Sequence, residues 1–186
     1  MIVSVINKKG GVGKTPFAFS IAKDLNLFLQ SNDNSIIEKI YPQKAKILPT
    51  PKLIDNCVYD FGGFVEKGIL EILQGSDCII VPCTSNYNAL LRTLETLNEI
   101  KECSKKIGIL VSDYRDEKEK QLICETLESN FTDLNLFFFK FSKIIENSMS
   151  SGASFTELYN ENNLTRLSYT NFFNEYQRLL NFIKEA

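Results

Sequence analysis

The stretch VINKKGGVGKTPF, from Val5 to Phe17, places three glycines and three lysines between an apolar run and a helical pattern. Gly10, Gly11 and Gly13 have no Cβ, so the backbone can curl and point several N–H groups at one anion. The helix that we predict to begin near Thr15 adds unpaired N–H groups and the positive end of its dipole. The stretch therefore predicts a phosphate-binding loop between a first strand and a first helix.

Two side chains at the end of this loop suit a nucleotide with a bound metal ion. Lys14 can reach β- and γ-phosphate oxygens, and the Thr15 hydroxyl is a suitable Mg²⁺ ligand. The alternative is a glycine-rich turn with solvated lysines, which requires no ligand. The order of strand, glycines, Gly-Lys-Thr and helix favours the phosphate site.

The bulk composition fits a globular protein that works without histidine chemistry. The chain has 186 residues, a formal net charge of −2 and no histidine. This composition excludes His-based acid–base catalysis, Ser-His or Cys-His nucleophiles and ordinary zinc sites. The five cysteines include no C-x-x-C pair, so we expect reduced and mostly buried thiols. No leader and no long apolar segment is evident, which predicts a cytoplasmic protein.

Short apolar runs alternate with helical patterns along the chain. Runs that are apolar on both faces predict strands of a parallel sheet covered by helices. They are Ile2–Ile6, Leu27–Gln30, Cys57–Tyr59, Cys78–Val81, Ile107–Val111 and Leu134–Phe139. The predicted helices are Thr15–Leu25, Val65–Leu73, Tyr87–Cys103, Lys118–Ser129 and Leu167–Lys184. We predict an α/β fold with a doubly wound, mostly parallel sheet flanked by helices, forming one domain over residues 1–186.

Two further segments have less regular patterns than the rest of the chain. For Asn34–Leu53 we predict a loop with a short helix and a short strand, and for Ser148–Asn163 a loop and a short helix beside the last one. The last helix carries an apolar stripe from Leu167 to Ile183, which we assign to the core. Its basic residues, Arg178 and Lys184, are too few for a helix that anchors to a membrane, so a membrane partner is not expected.

Another candidate segment of the nucleotide site is NCVYDFGGF, from Asn56 to Phe64, which contains one acidic residue. Asp60 ends an apolar strand, and an aspartate at the carboxyl end of a strand beside the phosphate loop can hold Mg²⁺ through a water. Gly62 and Gly63 would let the next turn approach a γ-phosphate, whose presence a backbone N–H can sense. The alternative is a strand-end aspartate that caps the following helix.

The segment KGGVGKT, from Lys9 to Thr15, resembles the deviant Walker A motif of the ParA/MinD family of ATPases. The match is to the family motif rather than to the general P-loop pattern, because Lys8 stands where that pattern has its first glycine. The resemblance extends to roughly Phe139 and implies a P-loop ATPase that binds ATP and Mg²⁺. In this family the lysine at the position of Lys9 reaches across a homodimer to the nucleotide of the other subunit.

The resemblance implies roles for particular residues. The nucleotide would contact Lys9, Gly10, Gly11, Val12, Gly13, Lys14, Thr15, Pro16, Gly62 and Gly63. The metal ligands would be Thr15 and Asp60, with Gly62 and Gly63 as switch II. The catalytic residues would be Lys9, Lys14 and Asp33.

Two positions depart from the family pattern. Pro16 replaces a threonine whose N–H and hydroxyl lie near the α-phosphate, so we expect a weaker grip on that phosphate; proline is well tolerated in a first helical turn. In LFLQSNDNS, Asp33 matches the second aspartate of switch I, which positions the attacking water, while Ser31 replaces the first aspartate and Asn34 the proline. A turn-forming Asn-Asp-Asn without a chemical role is the alternative.

The nucleobase has less distinctive candidates. Bases in doubly wound folds lie near loops at the carboxyl ends of strands. Ser112, Asp113 and Tyr114 follow such a strand and are candidates to flank adenine, although an ordinary polar loop would have the same sequence features.

The resemblance implies a ParA-like ATPase that partitions plasmid or chromosomal DNA. ATP would drive homodimerisation and non-specific DNA binding, and a ParB-like centromere-binding protein would stimulate hydrolysis. Because the net charge is −2, DNA binding requires a basic patch that forms on dimerisation, or else it is weak. Its candidates are Lys101, Lys105, Lys106, Lys118 and Lys120. Two alternatives are a MinD-type positioning ATPase at a membrane or protein scaffold, and a nucleotide-dependent interaction protein with negligible hydrolysis.

Overall fold

The computed structural model describes residues 1–63, 67–104, 106–132 and 134–186, and of Lys67 only the backbone. Seven strands lie in these ranges: β1 (Ile2–Asn7), β2 (Phe28–Ser31), β3 (Ala45–Ile47), β4 (Cys57–Gly62), β5 (Cys78–Thr84), β6 (Ile107–Tyr114) and β7 (Asn135–Lys140). The helices are α1 (Lys14–Asp24), α2 (Ile37–Ile40), α3 (Lys67–Gln74), α4 (Tyr87–Ile100), α5 (Glu117–Glu128), α6 (Ile144–Ser151), α7 (Phe155–Asn160) and α8 (Asn163–Lys184).

The seven strands form one parallel sheet in the order β3-β2-β4-β1-β5-β6-β7. Strand β1 lies between β4 and β5, where the winding of the chain changes direction. Ligands of doubly wound sheets bind outside the carboxyl ends of the strands at such a point. The topology therefore places the loop after β1 at the expected ligand-binding edge, and the predicted fold class is confirmed.

Most of the predicted elements are present, with boundaries shifted by a few residues. All six predicted strands occur, and residues 34–53 contain the short helix α2 and the short strand β3, which extends the sheet beyond β2. The predicted helix Val65–Leu73 lies partly outside the described residues, and α3 is described from Lys67.

The prediction for residues 148–163 was wrong at its beginning, because Ser148–Ser151 form the last turn of α6. Ser148 is buried, and its hydroxyl lies 3.3 Å from the Ser20 hydroxyl of α1. Packing against α1 stabilises a helix that such small polar residues do not favour on their own. Gly152, with φ of 71°, ends the helix in a left-handed conformation.

Two hydrophobic clusters cover the two faces of the sheet. One lies under α3, α4 and α5, and the other under α1, α6, α7 and α8. In the second cluster, the Phe172 ring lies 4.8 Å from Phe139 and 5.0 Å from Phe155, centroid to centroid. Phe17, which follows the glycine-rich loop, is 5.0 Å from Phe139. These aromatic contacts join α1, α7 and α8 to the sheet.

The last helix packs on the sheet, as its apolar stripe predicts. Phe172, Tyr176, Leu179, Leu180 and Ile183 are buried, whereas Leu167 is 78% exposed and does not belong to the stripe. In the part of the chain that the structure describes, no helix is long and apolar enough to cross a membrane.

The buried ring of Phe172 provides a test of this packing. We expect Phe172→Ala to lower the free energy of unfolding by about 3–5 kcal/mol, because it leaves a cavity among aromatic rings. Phe141→Ala, at a side chain that is 72% exposed, should change it by no more than about 0.5 kcal/mol. Denaturant titration measures both values, and equal losses in the two variants would contradict this account of the core.

Candidate active site

A buried asparagine fixes the start of the glycine-rich loop. Asn7, the last residue of β1, donates through Nδ2 to the Pro82 carbonyl and to Thr93 Oγ1, each at 2.8 Å. Its Oδ1 accepts from the Lys9 N–H at 2.8 Å. The side chain thus ties the loop to β5 and α4. Sequence reasoning missed this residue, although a polar side chain that ends an apolar strand before such a loop is a usable signal.

The backbone of the loop has the curvature that its glycines predict. Gly11 and Gly13 have φ of 76° and 87°, values that residues with a Cβ rarely adopt. A Cβ at Gly10 or Gly11 would meet no atom within 4 Å, so this side of the loop is open. Gly13 precedes α1 with no side-chain cap, so no side chain competes for the first N–H groups of the helix. These groups can therefore bind an anion.

Lys14 lies inside the loop rather than in solvent. It is 7% exposed, and its Nζ donates to the Lys9 carbonyl at 3.1 Å. Burial lowers the pKa of Lys14, while the carboxylates of Asp60 and Asp33 act in the opposite direction. The alternative of solvated lysines is therefore wrong for Lys14. Lys9 is half-buried, and its Nζ donates to the Gly10 carbonyl at 3.2 Å.

Asp60 is the central acidic group of the site. It is fully buried on β4, directly beside Val5 of β1. Its Oδ2 accepts from Thr15 Oγ1 at 2.7 Å and from Ser31 Oγ at 3.1 Å. The helix-capping alternative does not hold, because Asp60 lies within the strand and its carboxylate faces the start of α1.

The oxygens of Thr15 and Asp60 fit a divalent cation. Asp60 Oδ1 is buried and has no hydrogen-bond partner among the described residues. Burial raises the pKa of Asp60, and the hydrogen bonds from Thr15 and Ser31 oppose that shift. A buried carboxylate oxygen without a partner is costly unless a cation or a water satisfies it. A hydroxyl beside a carboxylate is the oxygen donor set that Mg²⁺ prefers.

The predicted switch segments contact each other. The Gly62 N–H donates to Asn32 Oδ1 at 2.7 Å. A Cβ at Gly62 would lie 2.8 Å from Cβ and Cγ of Asp33, so the close approach of Asp33 requires glycine here. The Gly62 N–H is therefore bonded to Asn32, and the sensing of a γ-phosphate by a backbone N–H of this turn stays a prediction. Gly63 follows with φ of 93°.

Asp33 has features of both interpretations of its sequence. Its Oδ1 accepts from the Asn34 N–H at 2.8 Å, a local bond that is typical of a turn. Its side chain is also exposed at the wall of a cleft of about 350 Å³ next to the glycine-rich loop. The cleft is lined by Gly10, Gly11, Gly13, Lys14, Thr15, Pro16, Asp33 and Ile145. The fold thus brings Asp33 to the loop from which it is separated in sequence.

A second cavity of about 280 Å³ adjoins the cleft at Pro16. Ser112 and Asp113 line it together with residues of α6, so two of the three candidates for the base lie beside the loop. Tyr114 does not, because it lines another cavity with Phe138. Asp113 has φ of 64° and lies where the pairing of β6 with β7 shifts its register, between Ser112 and Tyr114. Such a bulge changes the direction in which the following side chains point. The Val12 side chain is 2% exposed and belongs to the core.

The candidate lysines for DNA do not form one patch. Lys101 and Lys106 lie near the start of β6, while Lys118 and Lys120 follow its other end. The eight residues of β6 separate the two pairs by roughly 25 Å. Lys105 lies outside the described residues. Within one molecule these lysines therefore lie apart, and the basic patch predicted to form on dimerisation stays a prediction.

Several solved structures are similar to this chain. The Cyanothece McdA apo structure has a TM-score of 0.64 at 12% identity and covers 91% of this chain and 98% of its own. MinD from Pyrococcus horikoshii, complexed with Mg-ADP, has a TM-score of 0.63 at 10% sequence identity. The match covers 99% of this chain and 94% of the MinD chain. A putative plasmid partition protein from Borrelia burgdorferi, bound to AMPPNP, has a TM-score of 0.59 at 13% sequence identity. The match covers 95% of this chain and 98% of the partition protein.

The fold is that of the MinD and ParA ATPases. At these identities the structural similarity establishes the fold, and the site residues rest on the geometry described above. No protein-family model matches the sequence, and no curated protein matches it.

The buried carboxylate predicts a pH-dependent change in stability. A carboxyl group whose pKa is raised by folding destabilises the fold once the pH exceeds its ordinary pKa, and the loss grows as the pH rises through the folded value. We expect Asp60→Asn to raise the free energy of unfolding at pH 7.5, without Mg²⁺, by about 1–3 kcal/mol. At pH 4 the difference in free energy of unfolding between Asp60→Asn and the wild type should shrink. In the Asp60→Asn variant, Mg²⁺ should no longer increase the stabilisation by nucleotide.

Denaturant titrations at the two pH values measure this effect. Thr93→Ser is a suitable control, because it keeps the hydroxyl that accepts from Asn7. A variant at Asp60 that is less stable at pH 7.5 than the wild type would contradict the account of its charge.

Proposed function

We propose that the protein is an ATPase of the ParA type that acts as a nucleotide-dependent switch. The observation that carries this proposal is the convergence of Lys14, Thr15 and Asp60 beneath an open loop at the carboxyl end of β1. The loop N–H groups and the start of α1 would hold the β- and γ-phosphates. Lys14 would neutralise their charge from inside the loop.

Thr15 and Asp60 would hold Mg²⁺, which neutralises phosphate charge when bound. Ser31 donates to the same Asp60 oxygen, Oδ2, that accepts from Thr15, so the carboxylate is already oriented. Asp33 lies at the cleft wall and would orient the attacking water, while the tie between Asn32 and Gly62 keeps the two switch segments together. Slow hydrolysis suits a switch protein, because such a protein acts through the conformational state that it occupies and not through the amount of product that it makes.

Lys9 supports an ATP-dependent homodimer. Its ammonium group contacts only a neighbouring carbonyl among the contacts described, and its side chain is half-buried next to the loop. A lysine in this place can leave the loop and reach phosphates held by a second copy. In this proposal each subunit completes the site of the other.

DNA partitioning remains the leading role, with a ParB-like partner that stimulates hydrolysis. The separated lysines favour a surface that two subunits share over one within a single molecule. The same observation also supports the second candidate, a MinD-type positioning ATPase acting on a membrane or protein scaffold. The local bond of Asp33 to Asn34 supports the third, a nucleotide-dependent interaction protein with negligible hydrolysis.

Variants at Lys14 and Lys9 separate binding from dimerisation. We expect Lys14→Ala to lose nucleotide binding by about 100-fold or more, because a buried cation no longer faces the phosphates. Lys9→Ala should bind nucleotide as a monomer but fail to dimerise with ATP and Mg²⁺. Calorimetry and light scattering measure the two properties, and Lys9→Arg is a control that keeps the charge. ATP-dependent dimers of Lys9→Ala would contradict the role in trans.

Binding assays with DNA and with vesicles distinguish the first two candidates. For a partition ATPase we expect binding to random-sequence DNA only with ATP, falling by about tenfold or more between 50 and 200 mM salt. Asp33→Ala should prolong the bound state, because hydrolysis ends it. Binding to anionic liposomes with no DNA binding would favour the MinD-type role instead.

In this proposal Pro16 limits the affinity of the cleft for the α-phosphate. It lines both cavities and supplies neither an N–H nor a hydroxyl there. We expect Pro16→Thr to tighten ADP binding about 3- to 10-fold, the value of one new hydrogen bond. Pro16→Ala restores the N–H alone and is the matched control. Unchanged affinity in Pro16→Thr, measured by calorimetry, would show that this position does not limit binding.

A further inference from the structure

The outer edge of β7 is covered by two side chains instead of a strand. Strand β7 is last in the sheet, so half of its backbone groups face away from β6. The Phe138 N–H donates to Glu175 Oε1 of α8 at 2.8 Å. The Leu136 carbonyl accepts from Arg178 Nη2, one turn further along the same helix. The edge thus has an outward-facing donor and an outward-facing acceptor that these two side chains satisfy.

Glu175 and Arg178 take the place of the backbone of a neighbouring strand. A carboxylate oxygen accepts where the next carbonyl would accept, and a guanidinium N–H donates where the next amide would donate. The two side chains also pair with each other at 3.0 Å, and the guanidinium lies 4.6 Å from the centre of the Phe137 ring. Both side chains are long, and Arg178 is exposed while Glu175 is partly exposed, so rotamer changes can withdraw them.

Open space runs along both halves of this edge. Between α5 and α8, a cavity of about 570 Å³ lies beside the first half of β7 and one of about 380 Å³ beside the second half. Both are lined by Phe138, so they meet at the middle of the strand. Leu136 and Phe137 line the first, and Phe141, 72% exposed, lines the second. An edge strand flanked by cavities that are lined in part by phenylalanine rings suits a bound strand with alternate side chains in pockets.

The charges along the groove indicate the chemistry of the occupant. The first cavity is lined by Glu128 and Glu185 as well as by Arg178. When Arg178 withdraws from the edge, the carboxylates of this cavity face a bound segment with less compensating charge. A lysine or arginine in that segment would restore the balance.

We propose that the β7 edge is a docking site for an extended segment of a partner protein, which binds as an eighth strand with alternating apolar residues and one basic end. Glu175 and Arg178 guard the site by occupying its hydrogen-bonding groups until the segment displaces them. The docking site is separate from the nucleotide cleft and does not rest on the proposed ATPase activity.

Selection from a display library of random nine-residue peptides on the wild-type protein tests the proposal. Enriched peptides should alternate apolar and polar residues and carry lysine or arginine near one end. An enriched peptide, made synthetically, should bind the Glu175→Ala/Arg178→Ala variant about tenfold tighter, because about 1.4 kcal/mol of competing bonds is removed. It should also slow hydrogen exchange in residues 134–141 of the wild type.

Two further variants make the result specific to the edge. Leu136→Pro places a proline where the N–H faces outward, so it should abolish peptide binding without removing a bond to β6. Arg92→Ala/Glu95→Ala removes an exposed ion pair of the same spacing, at 2.7 Å on α4, and should leave peptide affinity unchanged.

Three outcomes would overturn the proposal. The first is that no peptide is enriched over background. The second is that enriched peptides leave exchange in residues 134–141 unchanged in the wild type, a measurement that stands even if Leu136→Pro fails to fold. The third is that the Glu175→Ala/Arg178→Ala variant pairs with itself and binds no peptide, which would make the two side chains a guard against self-association only.

Discussion

The carboxylate of Asp60 joins three parts of the chain that are far apart in sequence. It accepts from Thr15 at the start of α1 and from Ser31 at the end of β2, while its own strand lies beside β1. These bonds hold the first turn of α1, and with it the mouth of the glycine-rich loop, at the carboxyl edge of the sheet. Since the carboxylate is buried with one oxygen unsatisfied, the arrangement lowers stability unless a cation or a water satisfies that oxygen.

Contacts with β5, α4 and the C-terminal helices hold this edge of the sheet in place. Asn7 anchors the loop to β5 and α4, and Phe17 anchors the first helix to an aromatic cluster formed with the C-terminal helices. The C-terminal part of the chain therefore serves as the covering layer of one face of the sheet. The loop itself remains open on the side of Gly10 and Gly11, where a ligand can approach.

Three features set parts of this surface apart. Pro16 lines the cleft without an N–H, Ser31 donates to the Asp60 carboxylate, and Glu175 with Arg178 covers the outer edge of β7. The first two lie at the candidate site, and the third lies at the last strand of the sheet.

The sequence alone was sufficient for the alternation of strands and helices and for the position of the phosphate loop. Apolar runs of strand length and the Gly-Lys-Thr junction are local patterns, and local patterns survive in any fold that contains them. Asp60 was also a candidate from the sequence, because a carboxylate follows the apolar run Cys57–Tyr59, although the strand continues to Gly62. The same local information failed for Ser148–Ser151, where contact with α1 overrides a poor helix propensity.

Only the tertiary structure decided which distant residues meet. The burial of Lys14, the bond from Ser31 to Asp60 and the contact of Asp33 with Gly62 depend on the order of strands in the sheet. The separation of the lysines at the two ends of β6 and the covering of β7 by α8 have the same origin. Residue types and spacing determine which elements form, whereas side-chain proximity across elements is set by how the sheet and helices pack, which no short stretch of sequence encodes.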